Sequence, residues 1–364
     1  MRTLFLTTDA FGGRGGLAKY NRDLLTALCS HPSTSEVVVV PRGAGDEMEP
    51  LPVKLTFVTD GLGGRGRFLA AVARRVARRP EFDLVICGHV NLLSPTLAVA
   101  RWLGAPLILC VYGIDVWTAP GRLAAWACSR IDGFVSISRV TAERFHSWAP
   151  LQGKREWILP NAIELDRFAP GPKAPALLDR YALRDKTVIA TLARLDALER
   201  MKGVDEVLEV MPRLLRRQPR LAYLVMGDGT DKARLEAKAR TLGVSDHVVF
   251  AGRIAEREKV EHYRLADAFV MPSQGEGFGF VFLEALACGV PVVASSIDGG
   301  REAVRDGLLG ALVDPHMPDD ILRGIEEALA SPRGVVPQGL SYFAFENFTS
   351  RVHAFVDDLG SLVK

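Results

Sequence analysis

The chain has 364 residues with 48% hydrophobic and 24% charged residues and a net charge of +2, the composition of a folded globular protein and not of a disordered or fibrous one. That length exceeds what one hydrophobic core usually organises, so two domains are expected. No stretch reaches the roughly 18 apolar residues of a membrane span. Met1–Thr8 is too briefly apolar for a signal peptide.

In chain order, short β-rich runs alternate with helical patterns. Thr3–Thr8, Val37–Val40, Leu84–Cys87, Leu107–Val111 and Gly133–Ile137 read as strands. A Pro- and Gly-rich patch, Pro160 through Pro175, interrupts the pattern as an interdomain linker. The grammar then restarts, with strands at Val188–Leu192, Ala222–Met226, Val248–Phe250, Ala268–Met271 and Val292–Ala294. The expectation is an α/β protein of two doubly wound Rossmann-like domains: residues 1–163, residues 164–346, and a last helix over about 347–364 that packs back on the first. Loops after the carboxyl ends of the strands should carry the chemistry.

Cys29, Cys87, Cys110, Cys128 and Cys288 stand singly among apolar neighbours, as reduced buried thiols of a cytoplasmic protein would. The seven histidines form no H-x3-H pair, and no metal site is expected. Charge is uneven, +5 over residues 1–165 and −3 over the rest. Most of the excess lies in Arg65, Arg67, Arg74, Arg75, Arg78 and Arg79, which have no acid among them. Arg74, Arg75, Arg78 and Arg79 share one helical face, with Phe68, Leu69, Val72 and Val76 on the other. Such a helix is either a solvated outer face or a peripheral contact with the inner face of a membrane.

After the first strand comes Asp9-Ala10-Phe11-Gly12-Gly13-Arg14-Gly15-Gly16-Leu17-Ala18, entering a helix. It fits G-x-G-x-x-A, but Pro41-Arg42-Gly43 follows the second strand where a dinucleotide site needs an acid. An anion-facing loop at Gly15 and Gly16 is the better reading.

Met271 through Gly289 is the most informative segment. A strand gives way to a glycine-rich loop with Glu276, then to a short helix with Glu284, which stops at Gly289. Amides near Gly279, Phe280 and Val281 are the unpaired donors of a helix start, suited to a diphosphate. Glu284 leans back toward that start, and Glu276 precedes it. Two carboxylates beside a diphosphate would repel it unless each accepts hydrogen bonds, which a ribose and a transferable sugar supply.

Glu276 and Glu284, with seven residues between them, in Glu-Gly-Phe-Gly and Glu-Ala-Leu-Ala-Cys-Gly-Val-Pro, resemble the E-x7-E segment of the family 4 retaining glycosyltransferases of GT-B fold. The likeness continues in Ala193-Arg194-Leu195 and Met201-Lys202-Gly203, similar to the family's basic pair facing the donor diphosphate. Val225 to Gly229 and Phe250 to Ile254, with Arg253 and Ile254, resemble its strand ends near the nucleoside. Leu159 to Ala162 resembles its interdomain joint, and Asp298 to Val304 its closing loop.

The resemblance implies transfer of a sugar from a UDP- or GDP-linked donor to a glycan, lipid-linked or small-molecule hydroxyl, without metal or other cofactor. The leaving diphosphate then takes the acceptor proton. It places Glu276, Arg194 and Lys202 in catalysis, and Gly277, Phe278, Gly279, Phe280, Val281 and Glu284 at the donor. Where the family often has His-Gly, this chain has Tyr112-Gly113, so Tyr112, Asp115 and His89 are the candidates near the donor sugar. A sugar-nucleotide epimerase or hydrolase, or a non-catalytic nucleotide-sugar binder, is the alternative that fold alone leaves open.

Overall fold

The computed structural model describes residues 1–13, 15–45 and 49–360. It divides into unit 1, Met1–Ala162 with Phe345–Lys364, and unit 2, Ile163–Ala344. Arg14 of the glycine-rich loop and residues 361–364 of the expected last helix lie outside the described residues.

Unit 1 runs β1 (Arg2–Thr7), α1 (Gly16–Ser30), β2 (Glu36–Pro41), β3 (Leu55–Phe57), α2 (Arg65–Val76), β4 (Leu84–Cys87) and α3 (Leu93–Leu103). It continues through β5 (Leu107–Val111), α4 (Arg122–Cys128), β6 (Gly133–Ser136), α5 (Arg139–His146) and β7 (Arg155–Ile158). The sheet is parallel in the order β3-β2-β1-β4-β5-β6-β7. Its inner strands are continuous apolar runs, Val37 to Val40 being wholly buried, because helices cover both faces.

Unit 2 contains α6 (Pro175–Arg180), β8 (Thr187–Leu192), α7 (Val204–Arg217), β9 (Leu221–Met226), α8 (Lys232–Thr241), β10 (Val248–Gly252) and α9 (Lys259–Tyr263). Then come β11 (Ala268–Met271), α10 (Phe280–Ala287), β12 (Val292–Ser295), α11 (Gly300–Ala303), β13 (Ala311–Val313) and α12 (Pro318–Ala330). The order is β10-β9-β8-β11-β12-β13, again parallel. In α7, Val204, Val207, Leu208, Met211 and Leu214 recur at helical spacing and are buried. Asp205 and Glu206 in its first turn and Arg216 and Arg217 in its last suit the helix dipole.

The last helix, α13 (Phe345–Leu359), returns to unit 1 and packs on α1. Phe348 meets Tyr20 edge-on with ring centroids 5.9 Å apart, and His353 Nε2 lies 2.9 Å from Ser30 Oγ.

The periodicity of the sequence does not reveal β3, β7 and β13. Each is an edge strand of three or four residues, and β7 reads Arg-Glu-Trp-Ile, so no apolar run announces it. Leu69, assigned from spacing to the apolar face of α2, is 48% exposed, while Phe68, Ala71, Val72 and Val76 are buried. The reason is angular: the buried stripe is narrower than half the helix, and Leu69 falls just outside it.

Strand order places the useful loops. It reverses direction between β1 and β4 in unit 1 and between β8 and β11 in unit 2. At such switch points the loops diverge and leave room for a ligand at the carboxyl ends.

Candidate active site

In unit 2 the loops after β8 and β11 carry Arg194, Lys202 and Glu276 to one switch point. Lys202 Nζ donates to Glu276 Oε2 at 3.0 Å and to the Gly275 carbonyl at 3.1 Å. Both side chains are mostly buried, at 18% and 19% exposure, so their attraction is less screened than on open surface. Arg194 is well exposed and pairs with Glu199 of its own loop.

Helix α10 opens at Gly279, which has no side chain to cap it. The helix start therefore lacks a side-chain cap, and it lies beside the Glu276 loop. Phe280 and Val281 begin that helix, after Gly277. Phe278 is different: the whole residue is buried, with its ring 5.5 Å from that of Phe343.

Asp298, in the loop after β12, organises this region and was not singled out as a site residue from sequence. Its Oδ2 accepts from Ser273 Oγ at 2.7 Å and from the Glu276 amide at 2.9 Å, while Oδ1 accepts from the Gly300 amide at 2.9 Å. The Gly299 amide donates to the Glu276 carbonyl at 2.8 Å. A Cβ on Gly299 would stand 2.0 Å from the Gly277 carbonyl oxygen, so this contact requires glycine. Burial, with the nearby charge of Glu276, pushes the Asp298 carboxyl up to about 7 against the hydrogen bonds that favour its anion.

Glu284 faces α9. Tyr263 Oη donates to its Oε2 at 2.7 Å, and Lys259 Nζ stands 3.3 and 3.4 Å from its two oxygens. The carboxylate is thus neutralised and held within the unit, with acceptor capacity left on Oε1. Neither Tyr263 nor Lys259 adjoins Glu284 in sequence, so only packing reveals the cluster. Arg253 and Ile254 follow the edge strand β10, with Arg253 exposed. There Gly227 N donates to the Gly252 carbonyl at 2.8 Å, and a Cβ on Gly227 would strike the Ala193 carbonyl oxygen at 1.8 Å.

Unit 1 gathers a second constellation after β1, β4 and β5. Tyr112 Oη donates to Asn21 Oδ1 at 2.7 Å, and Asn21 Nδ2 donates to Thr7 Oγ1 at 2.9 Å and to the Asp9 carbonyl at 2.8 Å. Buried Asn21 thereby ties helix α1 to the loops of two strands; its mid-helix position gives no sequence signal. Gly15, the N-cap of α1, and Gly16 are exposed, and no side chain caps the helix.

His89 lies over Tyr112, ring centroids 6.4 Å apart. Desolvation, then the charge of Arg42, lowers its imidazolium to about 4, so the ring is neutral near pH 7. Nδ1 accepts from the Asn91 amide at 3.1 Å, which leaves the ring proton on Nε2 as a donor.

Asp115 Oδ1 accepts from the Tyr112 amide at 3.1 Å, whereas buried Oδ2 has no hydrogen-bond partner among the described residues. Burial pushes this carboxyl up to about 7. A group raised in the folded state stabilises fully below its unfolded value and loses that contribution as pH rises through about 7. Asp115→Asn should therefore gain stability over the native chain by at least on the order of 2 kcal/mol as pH rises from about 4 to about 8, and differ least below about pH 4, where the carboxyl is protonated folded and unfolded alike. Thermal melts of the two proteins across that range test it; a gain that does not grow with pH contradicts it.

Two parallel doubly wound units with phosphate-suited loops at their switch points define a GT-B fold. The chain aligns with HepE of Anabaena in complex with UDP at a TM-score of 0.74 and 20% identity, covering 99% of this chain and 100% of that one. With sucrose-phosphate synthase of Thermosynechococcus elongatus the TM-score is 0.76 at 20% identity, covering 100% of both.

The family termed Glycosyl transferases group 1 matches residues 182–338, and Glycosyltransferase Family 4 matches residues 14–167. A GDP-mannose-dependent alpha-(1-6)-phosphatidylinositol monomannoside mannosyltransferase of Mycolicibacterium smegmatis is 35% identical over 298 residues, 78% of this chain and 77% of that protein. A D-inositol 3-phosphate glycosyltransferase of Actinosynnema mirum is 33% identical over 368 residues, 88% of this chain and 87% of that one. The chain belongs to the family 4 glycosyltransferases, and nucleotide-sugar-dependent glycosyl transfer is its reaction class.

Proposed function

We propose that this protein is a metal-independent hexosyltransferase that retains anomeric configuration, with its donor on unit 2 and its acceptor on unit 1. The observation that carries the reading is the Lys202–Glu276 pair at the unit 2 switch point, beside the uncapped start of α10. A donor diphosphate there would meet Lys202, Arg194 and the amides of Gly279, Phe280 and Val281, which together do the neutralising work of a metal ion. Glu276 would accept from hydroxyls of the transferable sugar, and Glu284, with Arg253 and Ile254, would hold the nucleoside end.

In the reaction the bond from the anomeric carbon to the diphosphate oxygen breaks, and the acceptor oxygen bonds to that carbon on the same face. The acceptor proton passes to the leaving diphosphate oxygen. Neutral His89 would donate from Nε2 to a sugar hydroxyl, with Tyr112 orienting beside it and Asp115 Oδ2 accepting from the incoming hydroxyl. Gly15 and Gly16 would present the start of α1 to the donor phosphate.

The co-substrate is a UDP- or GDP-linked sugar. GDP-mannose is the first to test, since the mannosyltransferase of M. smegmatis is named for it. No helix among the described residues is long and apolar enough to cross a membrane. A cytoplasmic protein meeting the membrane through the exposed arginines of α2 fits a lipid-linked acceptor.

A sugar-nucleotide panel in thermal melts tests the donor site: at 100 times its dissociation constant the true donor should stabilise by about 2.7 kcal/mol. The anomeric coupling of the product, read by NMR, tests retention. No shift with any nucleoside diphosphate sugar rejects the donor site, and inverted product rejects the mechanism.

A further inference from the structure

The outer side of α2, α3 and α4 carries a chemistry that transfer at the sheet edge does not use. The crossovers β3 to β4, β4 to β5 and β5 to β6 all step the same way along the sheet, so right-handed connections put their helices on one face. Contacts run from α2 to α3 and from α3 to α4. None of the three helices contains Asp or Glu.

Between α3 and α4 lies an open groove of about 290 Å³, lined by Ser94, Leu97, Ala98, Arg101, Trp126 and Arg130. Arg101 Nη2 donates to the Arg130 carbonyl at 3.1 Å, and the Arg130 guanidinium stands over the Trp126 ring at 5.4 Å. Neither arginine pairs with a carboxylate among the described residues.

Around the groove, large apolar groups face solvent: Trp126 is 52% exposed and Leu123 65%. Trp102, 50% exposed, lies under the Arg79 guanidinium and donates from Nε1 to the Val76 carbonyl at 3.0 Å, which links this surface to α2. Guanidinium groups without counter-ions call for an anion. Exposed indoles and leucines beside them call for an apolar neighbour, and a lipid interface supplies both. A nucleic-acid backbone would leave Leu69 and Leu123 in water.

We propose that the α3–α4 groove is a phospholipid headgroup site. The phosphodiester of an anionic membrane lipid lies between Arg101 and Arg130, with Trp126 against the glycerol and the upper acyl chain. This inference rests on the peripheral membrane reading and adds to it a discrete site for one lipid.

Vesicle co-sedimentation of the full chain tests it, with phosphatidylcholine alone and phosphatidylcholine mixed with phosphatidylglycerol. The anionic vesicles should retain the protein. Ala98→Glu sets a carboxylate in the groove on an exposed helix position, and Arg101→Gln/Arg130→Gln removes the charges of the two arginines. The double variant should weaken binding about 30-fold, the effect of two interfacial charges, and Ala98→Glu about 5-fold, the effect of one, while Ala98→Gln stays near native.

Native-like retention of both variants, with release only when Arg74, Arg75, Arg78 and Arg79 are made Gln, would overturn the groove and leave the membrane reading intact. Failure of the native chain to bind any anionic vesicle would overturn both. Full displacement from vesicles by soluble glycerophosphoglycerol would overturn the assignment to membrane lipid.

Discussion

Lys202→Ala should lower kcat by about 100- to 1,000-fold while leaving the protein folded. Lys202 is the mostly buried cation of the unit 2 switch point, and its Nζ is directed by the Gly275 carbonyl and by Glu276. Its removal takes a donor from the leaving diphosphate and leaves the Glu276 carboxylate uncompensated beside it. The two effects act in the same direction. Lys202→Arg should recover part of the rate, since charge is kept and only reach and shape differ. Release of nucleoside diphosphate at saturating donor, with a thermal melt as the control for folding, decides the matter. An unchanged kcat in the Ala variant would remove Lys202 from the chemistry.

Asp298→Ala should cost at least about 3 kcal/mol of stability, because Ser273 Oγ and the amides of Glu276 and Gly300 lose their common acceptor. Activity should fall with it, since the amide so held belongs to Glu276. Asp298→Asn keeps the shape and separates the two effects. In the native protein the carboxyl ionises near pH 7, and the anion accepts all three hydrogen bonds. The rate should therefore climb as pH rises through that value. Stability moves the opposite way: the folded state binds the proton more tightly than the unfolded one, so the contribution of this group is lost as pH rises through about 7. The Asn variant should lose the corresponding limb of the kcat profile between about pH 6 and pH 8. A limb that persists unchanged belongs to another group, and Asp115, which also titrates near 7, is then the candidate.

Both proposals concern one loop system, and they show how differently its parts could be read in advance. Glu276 stands out in sequence because a glycine-rich turn and a helix start flank it. Asp298 lies twenty-two positions further along, and its hydrogen bond to the Glu276 amide exists only because β12 lies beside β11. Glu284 was visible as an acid on an apolar helix, with a reach toward that helix's start inferred from geometry. Its partners Tyr263 and Lys259 come from α9, and they set which way the carboxylate is engaged. Asn21 had no signal at all, because its value lies in joining Thr7, Asp9 and Tyr112, the last of them 91 residues away.

The same division holds for the architecture. Inner strands such as Val37–Val40 and Leu107–Val111 are buried on both faces, so their composition alone marks them. Edge strands β3, β7 and β13 are short and take their form from a neighbour's backbone, which leaves little trace in their own residues.

By itself the sequence determined the α/β grammar, the glycine-rich loops and the acids and cations that mark a nucleotide-sugar enzyme. These depend on backbone propensity and local spacing, which act over a few residues. Tertiary structure alone decided which carboxylates are already satisfied, which buried oxygen of Asp115 lacks a partner among the described residues, and which outward helices merge into one basic, aromatic surface. Those properties arise from desolvation and from hydrogen bonds between residues far apart in the chain, and the order of strands in the sheet brings them together.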